Sequence, residues 1–207
     1  MNGQETEVKF YVRDLKQVEE RIRALGGHLV QARVYEVNLR YDLPDGSLRR
    51  EGKVLRLRQD ERVRLTFKGP SQRSDGVLSR AEFETALDDF ENGRKILEAL
   101  GFLPVATYEK YRSTYDLGEL HIMLDELPYG DFVEIEGPDV PALQQASKEL
   151  GLDFSAAIPA SYLALFESLC QQRELDPAQL TFAALNGLQV EPEELSVRPA
   201  DGGSIIQ

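Results

Sequence analysis

Charged residues occupy every second position in several short segments of this chain. In residues 55–58, Arg56 and Arg58 alternate with Leu55 and Leu57. Because successive side chains of a β-strand point to opposite faces, this spacing predicts a strand with one charged and one apolar face. The same alternation recurs in segments 5–10, 64–68, 80–84, 121–125 and 133–136. We therefore expect a β-sheet in which many strands carry a charged face.

Eight segments have the length and residue types of strands, and turn residues separate several of them. The predicted strands cover residues 4–12, 30–42, 53–59, 62–69, 77–87, 105–116, 119–125 and 131–137. Four helices are predicted, one after Asp14, one after Asp88, and two over 141–150 and 160–172. Eight strands with few helices between them indicate an α+β fold with an antiparallel sheet that can close on itself.

A repeat with an offset of 74–75 residues indicates two related halves. Residues 5–46 and 80–118 both have the pattern of a strand, an Asp-capped helix and a second strand. The second strands end in Tyr41-Asp42-Leu43 and Tyr115-Asp116-Leu117. Two β-α-β units facing each other across one sheet explain this pattern. A chance match is the alternative, and the sequence leaves it open.

Composition excludes several classes of protein. The net charge of −12 argues against a general binder of nucleic acid or of an anionic membrane. Residues 40–80 nevertheless hold eleven basic and six acidic residues, and this local excess suggests an anion site. Cys170 is the only cysteine, and His28 and His121 are the only histidines, so we do not expect a zinc site. With no apolar run of about 20 residues and no signal-peptide pattern, we expect a cytoplasmic protein without membrane contact.

Two arrangements can accommodate the charged faces. In the first, the charges lie in water, which is the better interpretation of any single strand. In the second, apolar faces pack against the helices, and charged faces line the bore of a barrel. The second explains why the polar positions of the strands are nearly all Arg, Lys and Glu. The inward set would comprise Lys9, Arg56, Arg58, Arg64, Lys68, Arg80, Lys110 and Arg112, together with Glu5, Glu7, Glu82, Glu84, Asp125, Glu134 and Glu136.

A bore of this kind needs charge compensation, because confined like charges are costly. A ligand with several negative charges would offset the cations. Clustered carboxylates without His or Cys favour a hard divalent ion, Mg²⁺ or Mn²⁺. A polyphosphate with bound metal meets both requirements, since Arg suits forked contacts with phosphate oxygens and Lys suits a point contact.

Several motifs follow one another in a distinctive order. The first is Glu5-Thr6-Glu7-Val8-Lys9, which has the form Glu-x-Glu-x-Lys. The others are Tyr41-Asp42, Leu55-Arg56-Leu57-Arg58, Leu65-Thr66-Phe67-Lys68-Gly69, Arg80 with Glu82 and Glu84, Glu109-Lys110-Tyr111-Arg112, Leu124-Asp125, Glu134-Ile135-Glu136 and Ser161-Tyr162-Leu163. This series resembles the CYTH family of class IV adenylyl cyclases and thiamine triphosphatases, within the triphosphate tunnel metalloenzymes. The resemblance covers about residues 1–170 and implies an eight-stranded antiparallel β-barrel, flanked by helices, whose charged interior binds a triphosphate with divalent metal.

The resemblance also implies residue roles. Metal would be held by Glu5, Glu7, Glu134 and Glu136, with help from Glu82 or Glu84. Phosphate oxygens would be bound by Lys9, Arg56, Arg58, Lys68, Arg80, Lys110 and Arg112. Strand parity, rather than the resemblance, adds Arg64 to the phosphate-binding set and Asp125 to the metal set. Lys9 or Lys68 is the catalytic candidate for a general base, on the condition that neighbouring cations lower its pKa.

Three functions fit such a pocket. The expected one is a metal-dependent triphosphatase that hydrolyses tripolyphosphate, ATP or another organic triphosphate. The alternative is a class IV-type adenylyl cyclase, in which the ribose 3′-hydroxyl attacks the α-phosphate and pyrophosphate leaves. The third is a module that binds polyphosphate or a nucleotide without turnover. The sequence leaves open which triphosphate is used, how many metals bind and whether the protein forms a homodimer.

The chain is expected to divide into a tunnel domain, 1–170, and an acidic C-terminal extension, 171–207. Asp176-Pro177 predicts a short helix through Leu185, because Asp suits the N-cap and Pro the first turn. The Pro-, Glu- and Gly-rich stretch after Gly187 predicts a tail that is mobile, or ordered only by packing or a partner.

Overall fold

The computed structural model describes residues 4–74 and 77–202, and the side chains of residues 4, 5 and 72–79 lie outside that description. The strands are β1 (Gln4–Val12), β2 (His28–Asp42), β3 (Val54–Gln59), β4 (Val63–Lys68), β5 (Gln72–Ser74), β6 (Val77–Leu87), β7 (Leu103–Leu117), β8 (Leu120–Leu127), β9 (Gly130–Glu136) and β10 (Gln179–Leu180). The helices are α1 (Leu15–Ala24), α2 (Ser47–Arg50), α3 (Phe90–Ala99), α4 (Val140–Glu149) and α5 (Tyr162–Gln172), with 3₁₀ turns at Phe154–Ala156 and Pro192–Leu195. All eight predicted strands are confirmed, and β5 and β10 are short additions. Among the described residues, no helix is both long and apolar enough to cross a bilayer.

The eight long strands form a circuit of antiparallel pairs. Its order is β1-β9-β8-β7-β2-β3-β4-β6, and β6 pairs with β1 again. The last pairing joins Gln4 to Ala81 and Glu7 to Leu78. Each of these strands therefore has a partner on both sides, as the predicted antiparallel barrel requires.

The two halves of the circuit have the same order of elements. β1-α1-β2 and β6-α3-β7 match element by element, and β1 pairs with β6 as β2 pairs with β7. Asp14 caps α1 by accepting from Gln17 N at 2.9 Å. Asp89 caps α3 by accepting from Asn92 N at 2.6 Å, so the capping residue is Asp89 and not the predicted Asp88. The structure thus confirms the predicted repeat.

Apolar strand faces point away from the bore and pack against the helices. Val8 and Phe10 of β1 are buried in one cluster with Val18 and Ile22 of α1. Leu57 of β3 packs in a second cluster that includes α3. Burial of each such side chain contributes roughly 1.5–3 kcal/mol, so the helices stabilise the outside of the barrel. This leaves the opposite strand faces for charged residues.

The C-terminal extension packs against the barrel and α5. The predicted helix from Asp176 through Leu185 is wrong, because this segment forms β10 and turns. Its backbone bonds to β7 instead of to itself: Thr107 N donates to the Ala178 carbonyl at 2.8 Å. The side chains of Leu180 and Leu185 are buried in the apolar cluster that includes residues of α5.

Residues near the end of the described chain contact its beginning. Ala200 N donates to the Tyr11 carbonyl at 2.9 Å. Asp201 Oδ2 accepts from Arg13 N at 2.8 Å and from Asp14 N at 2.9 Å. The residues up to 202 therefore pack against the start of the chain, which agrees with the alternative of order through packing, and the mobility of the tail stays a prediction. Residues 203–207 lie outside the described chain, and a domain boundary at residue 170 stays a prediction.

Candidate active site

A cavity of about 660 Å³ lies inside the barrel. Among the described residues, nine basic side chains line it: Lys9, Arg40, Arg56, Arg58, Arg64, Lys68, Arg80, Lys110 and Arg112. Its described acidic lining is Glu7, Glu82, Glu84, Glu134 and Glu136. Thirteen of the fifteen side chains predicted to face inward therefore share one space. The other two are Glu5, whose side chain lies outside the described residues, and Asp125.

Asp125 lies behind the cavity wall, where it holds other side chains. It is fully buried, and its Oδ2 accepts from Lys110 Nζ at 3.0 Å and from the Tyr162 hydroxyl at 2.7 Å. Its Oδ1 accepts from Arg112 Nε at 2.6 Å. Because both oxygens are engaged and neither lines the cavity, the geometry gives no support to the predicted metal role of Asp125. It orients Lys110 and Arg112 instead.

Lys9 projects from β1 into a carboxylate-rich part of the wall. Its Nζ lies 3.0 Å from Glu134 Oε1 and donates to the Ala160 carbonyl at 3.1 Å. Burial alone would lower the pKa of Lys9, but Glu134 and Glu7 outweigh burial and keep that pKa above its ordinary value. The structure therefore does not show the lowered pKa that a general base at Lys9 would need, and the role of Lys9 stays a prediction. The Nζ of Lys68 lies 2.8 Å from Glu82 Oε2, so Lys68 also contacts an anion.

Glu134 is held by two cations. Besides Lys9, Arg112 Nη2 contacts its Oε2 at 2.5 Å. Burial opposes ionisation, but Lys9 and Arg112 keep the pKa of Glu134 well below its ordinary value. Glu134 is therefore a carboxylate at neutral pH, as a metal ligand or a cation partner must be.

Glu36 is a fully buried acid on β2 that the sequence analysis missed. Its carboxylate lies 3.4 Å from Arg58 and 3.6 Å from Lys110. Burial raises the pKa of Glu36, but Lys110, Arg112 and Arg58 outweigh that effect and hold it below its ordinary value. Glu36 thus compensates cations from both neighbouring strands.

Glu84 of β6 accompanies the arginines of β3 and β4. Its oxygens lie 3.9 Å from Arg56, 3.7 Å from Arg58 and 3.9 Å from Arg64. Arg64, which only strand parity predicted to face inward, does line the cavity and also lies 2.9 Å from Asp60. In the part of the wall formed by β3, β4 and β6, three arginines therefore surround the single carboxylate of Glu84.

Glu7 and Glu136 are the acids best placed for a hard cation. They are direct cross-strand partners in β1 and β9, and both line the cavity. Like charges in such a pair repel each other unless a cation offsets them, and carboxylate oxygens are the donors that Mg²⁺ and Mn²⁺ prefer. Arg80 Nη2 lies 3.8 Å from Glu7 and offsets part of this charge. Within the described side chains, which do not include that of Glu5, no group of three or more His, Cys, Asp or Glu has the spacing of a metal site.

Sequence reasoning missed several residues of the cavity wall. Arg40, Tyr108 and Tyr162 line the cavity, and Asn38, two residues before Arg40 on β2, is fully buried with no partner for either amide atom among the described residues. Arg56 Nη1 donates to the Tyr108 hydroxyl at 3.2 Å. Strand parity could have found Asn38 and Arg40, since they alternate along β2. It could also have found Tyr108, which lies two residues before Lys110.

The chain is similar in sequence and in structure to known proteins. The family model described as the CYTH domain matches residues 3–150. Adenylate cyclase CyaB from Aeromonas hydrophila is 29% identical over 182 residues, which cover 81% of this chain and 89% of that protein. The PH1819 protein from Pyrococcus horikoshii OT3 is similar in structure with a TM-score of 0.68 and 26% identity, covering 82% of this chain and 99% of that chain.

A plant protein gives a further structural match. HpAC1 from Hippeastrum, which is described as having a dominant triphosphatase activity, has a TM-score of 0.58 and 22% identity. The match covers 79% of this chain and 95% of that chain, and at this identity it shows the fold alone. The family model spans most of the residues that build the bore, from β1 through β9 and α4. The chain therefore belongs to the CYTH family.

Proposed function

We propose that this protein is a divalent-metal-dependent triphosphatase that hydrolyses inorganic tripolyphosphate or an organic triphosphate. The observation that carries the proposal is the bore itself, where nine cations and five acids of the described lining share about 660 Å³. An excess of cations around one cavity attracts a polyanion, and neighbouring carboxylates attract its metal. Few other ligands satisfy both sets of charges.

The residues divide by charge into two roles. Lys9, Lys110 and Arg112 lie on one side, and the arginines of β3 and β4 lie on the other, so phosphate oxygens can be held from several directions. Cations fixed before the substrate arrives stabilise charge that moves toward the leaving phosphate. Glu7 and Glu136, with Glu5 by its position in the motif, would hold Mg²⁺ or Mn²⁺. The metal would supply neutralisation of phosphate oxygens.

The lining favours recognition through phosphate over recognition through a nucleobase. Tyr108 and Tyr162 are its phenol rings in the described residues, and both are buried. Their hydroxyls are bonded to Arg56 and Asp125, respectively. A purine would therefore find no open phenol ring on which to stack, whereas a phosphate chain finds many donors.

Adenylyl cyclase activity is the second candidate, because the relative from Aeromonas hydrophila is named an adenylate cyclase. The two reactions differ in the nucleophile and in the phosphorus that it attacks. A hydrolase directs water to a terminal phosphate, and a cyclase directs the ribose 3′-hydroxyl to the α-phosphate. The same cations and acids would serve either reaction.

Product analysis tests the proposal. The protein is incubated with Mg²⁺ or Mn²⁺ and with either tripolyphosphate or ATP, and the products are separated. Orthophosphate supports the triphosphatase, whereas cyclic AMP with pyrophosphate would establish the cyclase. Tight binding of tripolyphosphate without products would leave only a binding module.

A matched pair of variants tests the metal site. Glu7→Gln removes a lining carboxylate, and Glu20→Gln removes an exposed one from α1. We expect Glu7→Gln to weaken Mn²⁺ binding by at least about tenfold, since disturbance around a metal site costs 10–100-fold in affinity, and Glu20→Gln to leave it unchanged. Equal Mn²⁺ affinity in both variants would remove Glu7 from the site.

A further inference from the structure

Arg40 projects into the bore from the wall opposite the proposed metal ligands. It lies on β2, and three strands separate β2 from β1 in either direction around the circuit. Its side chain lines the same cavity as Glu7 on β1. Arg40 therefore faces a bound triphosphate from the side away from Glu7 and Glu136.

Arg40 differs from the other basic side chains of the lining in its lack of a partner. Each of the eight others has a carboxylate within 4.0 Å: Lys9, Arg56, Arg58, Arg64, Lys68, Arg80, Lys110 and Arg112. Among the side chains that the structure describes, which exclude those of residues 4, 5 and 72–79, Arg40 has neither an ion pair nor a hydrogen-bond partner, and its Nε is buried without an acceptor. Glu167, the acid that acts on it electrostatically, is already paired with Arg49 at 2.8 Å.

The surroundings of Arg40 are cationic. Arg56 is its direct cross-strand partner on β3. Burial lowers the pKa of Arg40, and the charges of Arg56 and Arg80 lower it further, although Tyr108 opposes them. A half-buried guanidinium among other cations destabilises the empty protein. Its presence in the lining is accounted for if a ligand brings the missing negative charge.

We propose that Arg40 is a further phosphate-binding residue, which holds the triphosphate against the Glu7–Glu136 side of the bore. The inference rests on the proposed function, because it requires a polyanion in this cavity. Arg40 makes forked hydrogen bonds to phosphate oxygens, and the phosphate supplies the counter-charge that no described carboxylate provides. Its role appears in binding and not in the stability of the empty protein.

The test measures binding and stability in the same variants. Arg40→Met keeps the length of the side chain without its charge, and Arg40→Lys keeps the charge without the fork. Arg94→Ala removes one positive charge from the outer face of α3 and is the control. Inorganic tripolyphosphate is titrated calorimetrically into each full-length protein in EDTA, and melting is followed in phosphate-free buffer.

We expect Arg40→Met to bind tripolyphosphate about 10- to 100-fold more weakly, the range of one charge-assisted contact. Arg40→Lys should lie between Arg40→Met and wild type, and Arg94→Ala should bind as wild type does. Arg40→Met should melt no lower than wild type, because it removes an unpaired cation.

Three results would overturn the inference, and they are distinguishable. If wild type binds tripolyphosphate and Arg40→Met binds it equally well, Arg40 is not a ligand and the proposed function stands. If Arg40→Met binds weakly but also melts well below wild type, its role is structural. If wild type binds tripolyphosphate neither in EDTA nor with Mg²⁺ added, the proposed function fails and the inference fails with it.

Discussion

The hydroxyl of Tyr162 is the contact through which α5 holds the carboxylate of Asp125. It donates to Asp125 Oδ2 at 2.7 Å, and the same oxygen accepts from Lys110 at 3.0 Å. Burial and the charges of Asp125 and Glu134 raise the pKa of Tyr162 well above its ordinary value, so the hydroxyl keeps its proton and remains a donor. Tyr162→Phe would keep the ring and remove this donor alone.

We expect Tyr162→Phe to destabilise the protein by about 1.5–3 kcal/mol, the contribution of a hydrogen bond to a charged group. For a chain of this length, 1 kcal/mol lowers Tm by about 2–4 °C, so the expected fall is about 3–12 °C in differential scanning calorimetry at pH 7. Tyr129→Phe is the matched control. Its hydroxyl is also buried but donates at 2.8 Å to a neutral acceptor, the Tyr162 carbonyl, and its loss should cost about 0.5–1.5 kcal/mol.

The comparison depends on the charge of the acceptor, because both variants lose one hydroxyl within the same aromatic cluster. If Tyr162→Phe melted at or above the temperature of Tyr129→Phe, Asp125 would not need this donor. The account of Asp125 as a buried anchor for Lys110 and Arg112 would then be refuted.

Three further predictions concern other parts of the molecule. Glu36→Gln removes one buried counter-charge from Arg58 and Lys110 and should cost about 3–5 kcal/mol in urea denaturation. Because the folded pKa of Glu36 is below its ordinary value, its contribution to wild-type stability should be fully present above about pH 4.3 and be lost as the pH falls further, and a decline of equal slope in the variant would contradict this. Leu180→Ala should cost about 2–5 kcal/mol, because Leu180 is fully buried, and a loss near zero would mean that the extension is not packed. Gly130→Ala should lower Tm more than Gly118→Ala: both positions have positive φ, but only at Gly130 would a Cβ lie 2.7 Å from the Tyr11 ring, and equal melting would contradict that clash.

Strand alternation predicted the barrel well, because the two-residue period is a local property of each strand. Arg56 and Arg58 face inward for the same reason that Leu57 packs against the outer helices. The repeat was likewise visible in sequence, since the capping aspartates of α1 and α3 lie at corresponding positions. These features require no knowledge of which strands become neighbours.

The sequence could not predict how deeply a charged side chain is buried or which side chains contact it. The parity of Asp125 was assigned correctly, but parity does not reveal that Lys110, Arg112 and Tyr162 occupy its oxygens. The pKa of Lys9 depends on Glu134, which is more than a hundred residues away along the chain and adjacent in the sheet. The first property is set by contacts of β8 with β7 and α5, and the second by the pairing of β1 with β9.

The prediction of a helix in the C-terminal extension was wrong for a different reason. Asp176-Pro177 is a sound helix start, but a short helix is marginal by itself and depends on what its apolar face contacts. Here Leu180 and Leu185 contact the α5 cluster, and the backbone gains bonds to β7. Long-range packing thus overrode a local preference.

The contacts of Asp201 bear on how the molecule assembles. Its hydrogen bond with Arg13 N joins residues 188 positions apart. Strand β1 likewise pairs with β6 and β9, which both lie far along the chain. Partners this distant in sequence make folding slow, because long loops must close before the contacts form. On a ribosome, the first strand would emerge long before the segments that complete it, so the pocket would form only after β9 had emerged.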